Sequence, residues 1–101
     1  MDKDFVKKWI EALRSGKYEQ GKGKLFKDNF YCCLGVAGIC AQIPLSEMYD
    51  KDSFFYPKFK KYPDLPKELS ESVLGNKLAI MNDCDEMSFN EIANYLEENL
   101  K

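Results

Sequence analysis

Ser88-Phe89-Asn90-Glu91-Ile92-Ala93-Asn94-Tyr95-Leu96-Glu97-Glu98-Asn99-Leu100 is the stretch whose reading decides the fold. Ser88 and Glu91 have the spacing of a capping box, in which a hydroxyl and a carboxylate each satisfy a backbone N–H at a helix start. Behind them Phe89, Ile92, Ala93, Leu96 and Leu100 recur at helical spacing and form one apolar face. A second amphipathic helix is expected near residues 4–15. Asp2 or Asp4 can cap it, Phe5, Val6, Trp9, Ile10 and Leu13 share its inner face, and Gly16 suits the position just past its end. Two such helices must bury their stripes against something.

The sequence between them supplies the partner. Leu25-Phe26 reads as a short strand, Lys27-Asp28-Asn29 as a turn and Phe30-Tyr31-Cys32-Cys33 as the returning strand. Leu34 to Gln42 reads as a buried helix of small residues, and Gly35 and Gly38 inside it imply close approach to another backbone. A short helix is expected from Pro66 to Leu74, ended by Gly75. Lys77 to Met81 is either a strand or a helical turn, and Asn82 to Glu86 a turn. The expected fold class is α+β: amphipathic helices and a small-residue helix packed on a short antiparallel hairpin or sheet.

At 101 residues there is room for a single domain, residues 1–101, and a chain this size buries about 65% of its unfolded surface. With 45% hydrophobic residues, one core forms without staples. Residues 43–66 hold all four prolines and the aromatics Tyr49, Phe54, Phe55, Tyr56, Phe59 and Tyr62. This long loop either wraps the body as a lid or presents a partner surface.

Composition removes several chemistries. The chain has no histidine, so Ser-His-Asp and Cys-His hydrolysis and histidine-ligated metals are excluded. No run approaches the ~20 apolar residues of a membrane span. The charged start Met1-Asp2-Lys3-Asp4 lacks the pattern of a secretory signal, so a cytoplasmic protein with four reduced thiols is expected. Zinc would require Cys32 or Cys33, Cys40 and Cys84 to converge without any C-x-x-C spacing. Neither metal nor cofactor is expected.

Charge is uneven. Residues 1–30 are net +3, residues 31–63 net +1 and residues 64–101 net −6. A single arginine, Arg14, argues against a nucleic-acid binder, and the acidic last third reads as a solvated helix face rather than a DNA mimic.

Three segments together resemble a family of small, mostly uncharacterised proteins encoded by bacteriophages and prophages. They are Trp9-Ile10-Glu11-Ala12-Leu13-Arg14-Ser15-Gly16-Lys17-Tyr18-Glu19-Gln20-Gly21-Lys22-Gly23-Lys24-Leu25, Tyr31-Cys32-Cys33-Leu34-Gly35-Val36, and Met81-Asn82-Asp83 with Ser88-Phe89-Asn90-Glu91-Ile92-Ala93. The resemblance implies a phage accessory protein, a class that includes inhibitors of host defence, and carries no activity with it. Family members often bear an acidic residue shortly after the Cys-Cys-Leu-Gly-Val run. Here Gly38-Ile39-Cys40 stands there, which speaks against a working carboxylate at that point.

The best functional candidate is the segment from Arg14 to Lys24. Gly21 and Gly23 let backbone N–H groups approach an anion, and Arg14, Lys22 and Lys24 suit phosphate. Tyr18 offers a stacking face and Gln20 an amide for a base edge. The ligand-binding set is therefore Arg14, Tyr18, Gln20, Gly21, Gly23 and Lys24, with no catalytic residue. Against this stands a plain solvated connector. Cys32 or Cys33 ahead of a helix is either a nucleophile or a core thiol, and the apolar setting favours the core. Asn82-Asp83 with Asp85 and Glu86 is either a cation site or a turn, and its spacing does not fit a calcium loop. The function expected is non-enzymatic sequestration of a nucleotide-derived signal by a homo-oligomer. The rival is a protein–protein inhibitor of a host defence enzyme, using the aromatic loop or the acidic C-terminal helix.

Overall fold

The first helix, α1 (Lys3–Arg14), begins where Asp2 Oδ1 accepts the Asp4 and Phe5 N–H groups, at 2.9 and 3.4 Å. It buries Phe5, Val6, Trp9, Ile10 and Leu13, the five residues its periodicity singles out. It ends at Ser15, and Gly16 follows with φ +78°, a left-handed conformation that glycine adopts without strain. The computed structural model describes residues 1–53, 58–71 and 73–100.

Three two-residue strands follow: β1 (Glu19–Gln20), β2 (Phe26–Lys27) and β3 (Phe30–Tyr31), in the order β1-β3-β2. β2 and β3 form the expected hairpin, with Asp28 and Asn29 at φ +53° and +68°. Two consecutive left-handed residues are the signature of a type I′ turn, whose twist matches that of the strands. β1 lies parallel to β3, Glu19 beside Phe30 and Gln20 beside Tyr31, so the sheet is mixed. Residues 49–53 run along its far edge, donating Asp50 N–H to Phe26 O and accepting Leu25 N–H at Lys51 O, both at 2.8 Å.

The returning strand is shorter than the sequence implies. Cys32 already stands at the N-cap of α2 (Cys33–Cys40), its thiol accepting the Gly35 N–H at 3.4 Å. Nearly all of α2 is buried, and a Cβ at Gly35 would collide with the Leu25 carbonyl. The small residues thus let this helix lie directly against the hairpin backbone. Trp9 reaches it from α1, fully buried, donating Nε1–H to Cys33 O at 3.0 Å.

Residues 43–66 include the helical turn α3 (Leu45–Met48) and fold back on the body at Met48, Phe59 and Leu65, all buried. Tyr49 is exposed; Phe54, Phe55 and Tyr56 lie outside the described residues. The helix expected at Pro66–Leu74 is instead α4 (Lys67–Ser70), and a longer α5 (Val73–Asp83) passes straight through Gly75. Gly75 does not end a helix: a Cβ there would run into the Leu69 carbonyl, so the glycine serves the close packing of α4 on α5. Lys77 to Met81 is the middle of α5, and Asn82-Asp83 its last residues rather than a turn. The last helix, α6 (Phe89–Asn99), opens with the complete capping box, Ser88 and Glu91 exchanging bonds of 3.0 and 3.1 Å. It buries Phe89, Ile92, Ala93 and Leu96 and packs on α1 and α5. The fold is α+β, as its sequence periodicities indicate. No helix among the described residues is long and apolar enough to cross a membrane.

Candidate functional site

The segment from Arg14 to Lys24 does not fold into one pocket. Arg14, in the last turn of α1, is turned onto α6, where its guanidinium donates to Asn94 Oδ1 at 2.7 Å and to Glu97 at 3.2 Å. Tyr18 packs edge-on against Tyr31, ring centroids 5.1 Å apart, and lines a hollow of about 250 Å³ with Lys8, Ser15 and Lys17. Gln20 faces inward. Its Nε2 donates to Asn82 Oδ1 at 2.8 Å and Met87 O at 2.7 Å, and its Oε1 accepts the Phe89 N–H at 3.0 Å.

Asn82 is the centre of that inner network. Fully buried, it also accepts the Cys33 N–H at 3.2 Å and donates to Gly21 O and Asp83 Oδ1, each at 2.8 Å. One amide therefore uses both its acceptor and its donor capacity to join β1, the start of α2 and the end of α5. Gln20 carries the link on to α6. Segments 9–25, 31–36 and 81–93 meet here.

Gly21 and Lys24 lead elsewhere, to a cleft of about 260 Å³ lined by Gly21, Lys22, Lys24, Lys27, Asp28 and Phe30. The hairpin builds it. Lys27 and Phe30 flank the two-residue turn as a register pair, so their side chains share one face of the sheet, opposite the face bearing Tyr31. Phe30 is 48% exposed. A Cβ at Gly21 would come within 2.7 Å of Phe30 Cβ, so only glycine leaves the ring its place. Gly23, at φ +82° with open space around it, turns the chain between the two flanking lysines.

Carboxylates edge this cleft. Lys22 Nζ lies 2.7 Å from Glu86, and Lys24 and Lys27 lie 3.4 and 3.2 Å from the same oxygen of Asp50. The Lys27 ammonium, donating to Asp50, holds that carboxyl below its ordinary range, with Lys24 adding to the effect. Asp50 in turn raises Lys27, and Lys22 lowers Glu86. Lys27 and Phe30 are the residues that reading the loop alone overlooks. The hairpin register carried the signal, because residues flanking a two-residue turn must face the same way.

The thiols sit apart from this cleft. Cys32, Cys33 and Cys40 are buried and only Cys84 is exposed, all four free. Burial raises Cys32 to about 11 and Cys33 well above the usual thiol range, so both stay protonated at neutral pH and serve as packing groups. Among the described residues no cluster of cysteine, aspartate and glutamate is arranged to hold a metal ion. Asp83 and Glu86 diverge in their contacts: Asp83 to Asn82, Glu86 to Lys22.

A broader cleft of about 380 Å³ separates the start of α1 from residues 63–66, lined in part by Asp2, Asp4, Lys8, Cys40 and Asp64. Two of these carboxylates, Asp2 and Asp64, are engaged in the fold. Asp2 caps α1, and Asp64 accepts from Gln42 Nε2 at 3.3 Å.

No curated protein and no solved structure matches the chain. Residues 1–100 match the model of one protein family, and the chain belongs to that family, described as a domain of unknown function, DUF8296.

Proposed function

We propose that this protein acts by binding rather than catalysis, and that its ligand is a nucleotide-derived molecule held in the Phe30 cleft. The observation that carries the reading is a half-exposed aromatic ring with Lys22, Lys24 and Lys27 around one cleft. A base stacks on such a ring, ammonium groups meet phosphate, and Asp28 at the turn accepts from a base N–H or a ribose hydroxyl. Gly21 and Gly23 give backbone access beside them. The absence of histidine and the protonated, buried state of Cys32 and Cys33 support binding without turnover.

At about 260 Å³ the cleft falls short of the roughly 300–1,000 Å³ typical of small-molecule sites. A second copy closing over it is therefore part of the proposal. The resemblance to phage proteins supports a role in the cytoplasm of an infected bacterium, as a sponge that withdraws a defence signal.

Calorimetry against a panel of cyclic nucleotides and ADP-ribose derivatives is the direct test. At least one ligand should bind, return intact on denaturation, and lose tenfold or more in affinity in Phe30→Ala and Lys24→Ala while melting stays unchanged. Tyr18→Ala locates the ligand, since Tyr18 lines a different hollow. A loss there with Phe30→Ala silent would move the site.

The second reading is a protein–protein inhibitor, favoured by Tyr49 standing exposed beside the sheet, its ring 6.0 Å from that of Phe26. Failure of every ligand, together with Tyr49-dependent capture of a host defence enzyme, would put that reading in place of the first.

A further inference from the structure

We propose that the Asp50 carboxylate is a built-in occupant of an anion subsite formed by Lys24 and Lys27, which a phosphate group enters by displacing it. The inference rests on the Phe30 cleft being a binding site and names what that site selects.

One oxygen of Asp50 stands 3.4 Å from Lys24 Nζ and 3.2 Å from Lys27 Nζ. Two ammonium groups converging on one oxygen is the arrangement a phosphate oxygen would find. Lys24 and Lys27 line the cleft together with Gly21 and Phe30. The carboxylate is aimed there by its backbone. Asp50 N–H donates to Phe26 O at 2.8 Å, Lys51 O accepts from Leu25 N–H at 2.8 Å, and Lys24 Nζ reaches Asp50 O at 3.4 Å. At φ +58° Asp50 occupies the left-handed region, which aspartate and asparagine tolerate better than other side chains. The segment is thus clipped to the sheet edge with its carboxylate over the two lysines.

All three charges are close to half exposed, so water screens the pair and exchange is easy. A tethered carboxylate nonetheless competes at the effective concentration of its tether, of the order of millimolar. A singly charged ligand gains little by replacing it. A phosphate dianion or a pyrophosphate brings more charge and more acceptor oxygens than Asp50 supplies, and is selected on that ground.

The test titrates inorganic pyrophosphate by calorimetry at low salt into wild type, Asp50→Asn, Asp50→Gly and the double variant Asp50→Asn/Lys27→Ala. Asparagine and glycine both accept the left-handed backbone, and melting curves establish that at least one single variant is folded. The folded single variants should bind pyrophosphate at least fivefold tighter than wild type, and the double variant should lose the gain. Unchanged or weaker binding in the single variants, or no binding by any protein, overturns the proposal. Tighter pyrophosphate binding combined with silence across the nucleotide panel would leave the subsite standing and remove the nucleotide reading. Nucleotide binding with Asp50 variants unaltered would do the reverse.

Discussion

Replacing Asn82 tests the architecture at its most connected point. Its amide accepts from Gln20 Nε2 and Cys33 N–H and donates to Gly21 O and Asp83 Oδ1. In Asn82→Ala the Cys33 N–H, in the first turn of α2, loses its acceptor, and Gly21 O loses a donor. Gln20 keeps Met87 O and the Phe89 N–H. At about 1 kcal/mol per bond, more where a buried group is left unmet, the loss comes to roughly 3–5 kcal/mol. That is a large part of the roughly 5–15 kcal/mol holding a domain together. Equilibrium urea denaturation measures it, with midpoint and slope fitted separately. Asn82→Asp sharpens the test because it keeps shape and Oδ1 but turns the donor into an oxygen facing Gly21 O and Asp83. Its loss at neutral pH should match or exceed that of alanine, and should shrink toward pH 4 as a carboxyl takes up the proton that restores a donor. A loss below 1 kcal/mol in Asn82→Ala, or an aspartate variant indifferent to pH, would refute the network as a structural centre.

Trp9→Ala should lose roughly 3–5 kcal/mol, since the ring is fully buried and truncation leaves a cavity and removes the Nε1–H bond to Cys33 O; a melting point within a degree or two of wild type counts against this core. Gly35→Ala, whose Cβ meets the Leu25 carbonyl, should cost far more than the alanine helix preference returns, and circular dichroism will show whether any native state survives. Stability should fall at alkaline pH: Cys32 stays protonated to about 11 against an ordinary 9.0, so the folded state retains a proton the unfolded state releases. The contribution is complete below pH 9 and lost between 9 and about 11, and at about 1.4 kcal/mol per tenfold it amounts to roughly 2–3 kcal/mol from Cys32. Cys32→Ala should flatten that limb of the pH profile, and an unchanged limb would speak against the buried thiol as its source.

What was legible in the sequence was what local chemistry controls. Asp2 and the Ser88–Glu91 pair start their helices where the capping pattern says, and the Asp28-Asn29 turn sets the hairpin register. β1 was not legible, because two residues pairing in parallel with β3 leave no periodic trace. Gly75 was misread because a glycine ending a helix and a glycine admitting a neighbouring carbonyl look alike in one dimension. The candidate site shows the same limit. Arg14, Tyr18, Gln20, Gly21, Gly23 and Lys24 lie within eleven positions, yet the turn at Gly16 and the crossing of β1 send them to α6, a side hollow, the interior and the Phe30 cleft. Proximity along the chain carried no information about proximity in space once the strands were so short. Lys27 and Phe30 share that cleft because register, not composition, brings them there.

The Asn82 network also bears on the order in which the chain assembles. Apart from the local bond to Asp83, its bonds join residues 49 to 69 positions apart, whereas the helix caps and the hairpin turn close over two or three. Distant closures carry the larger entropic toll and are made after local elements exist. The amide is therefore expected to click into place on the native side of the folding barrier. Its removal would then show chiefly in the unfolding arm of a chevron, with refolding rates little changed. A residue placed this way governs how long the native state persists once reached, and has little say in how quickly it is found.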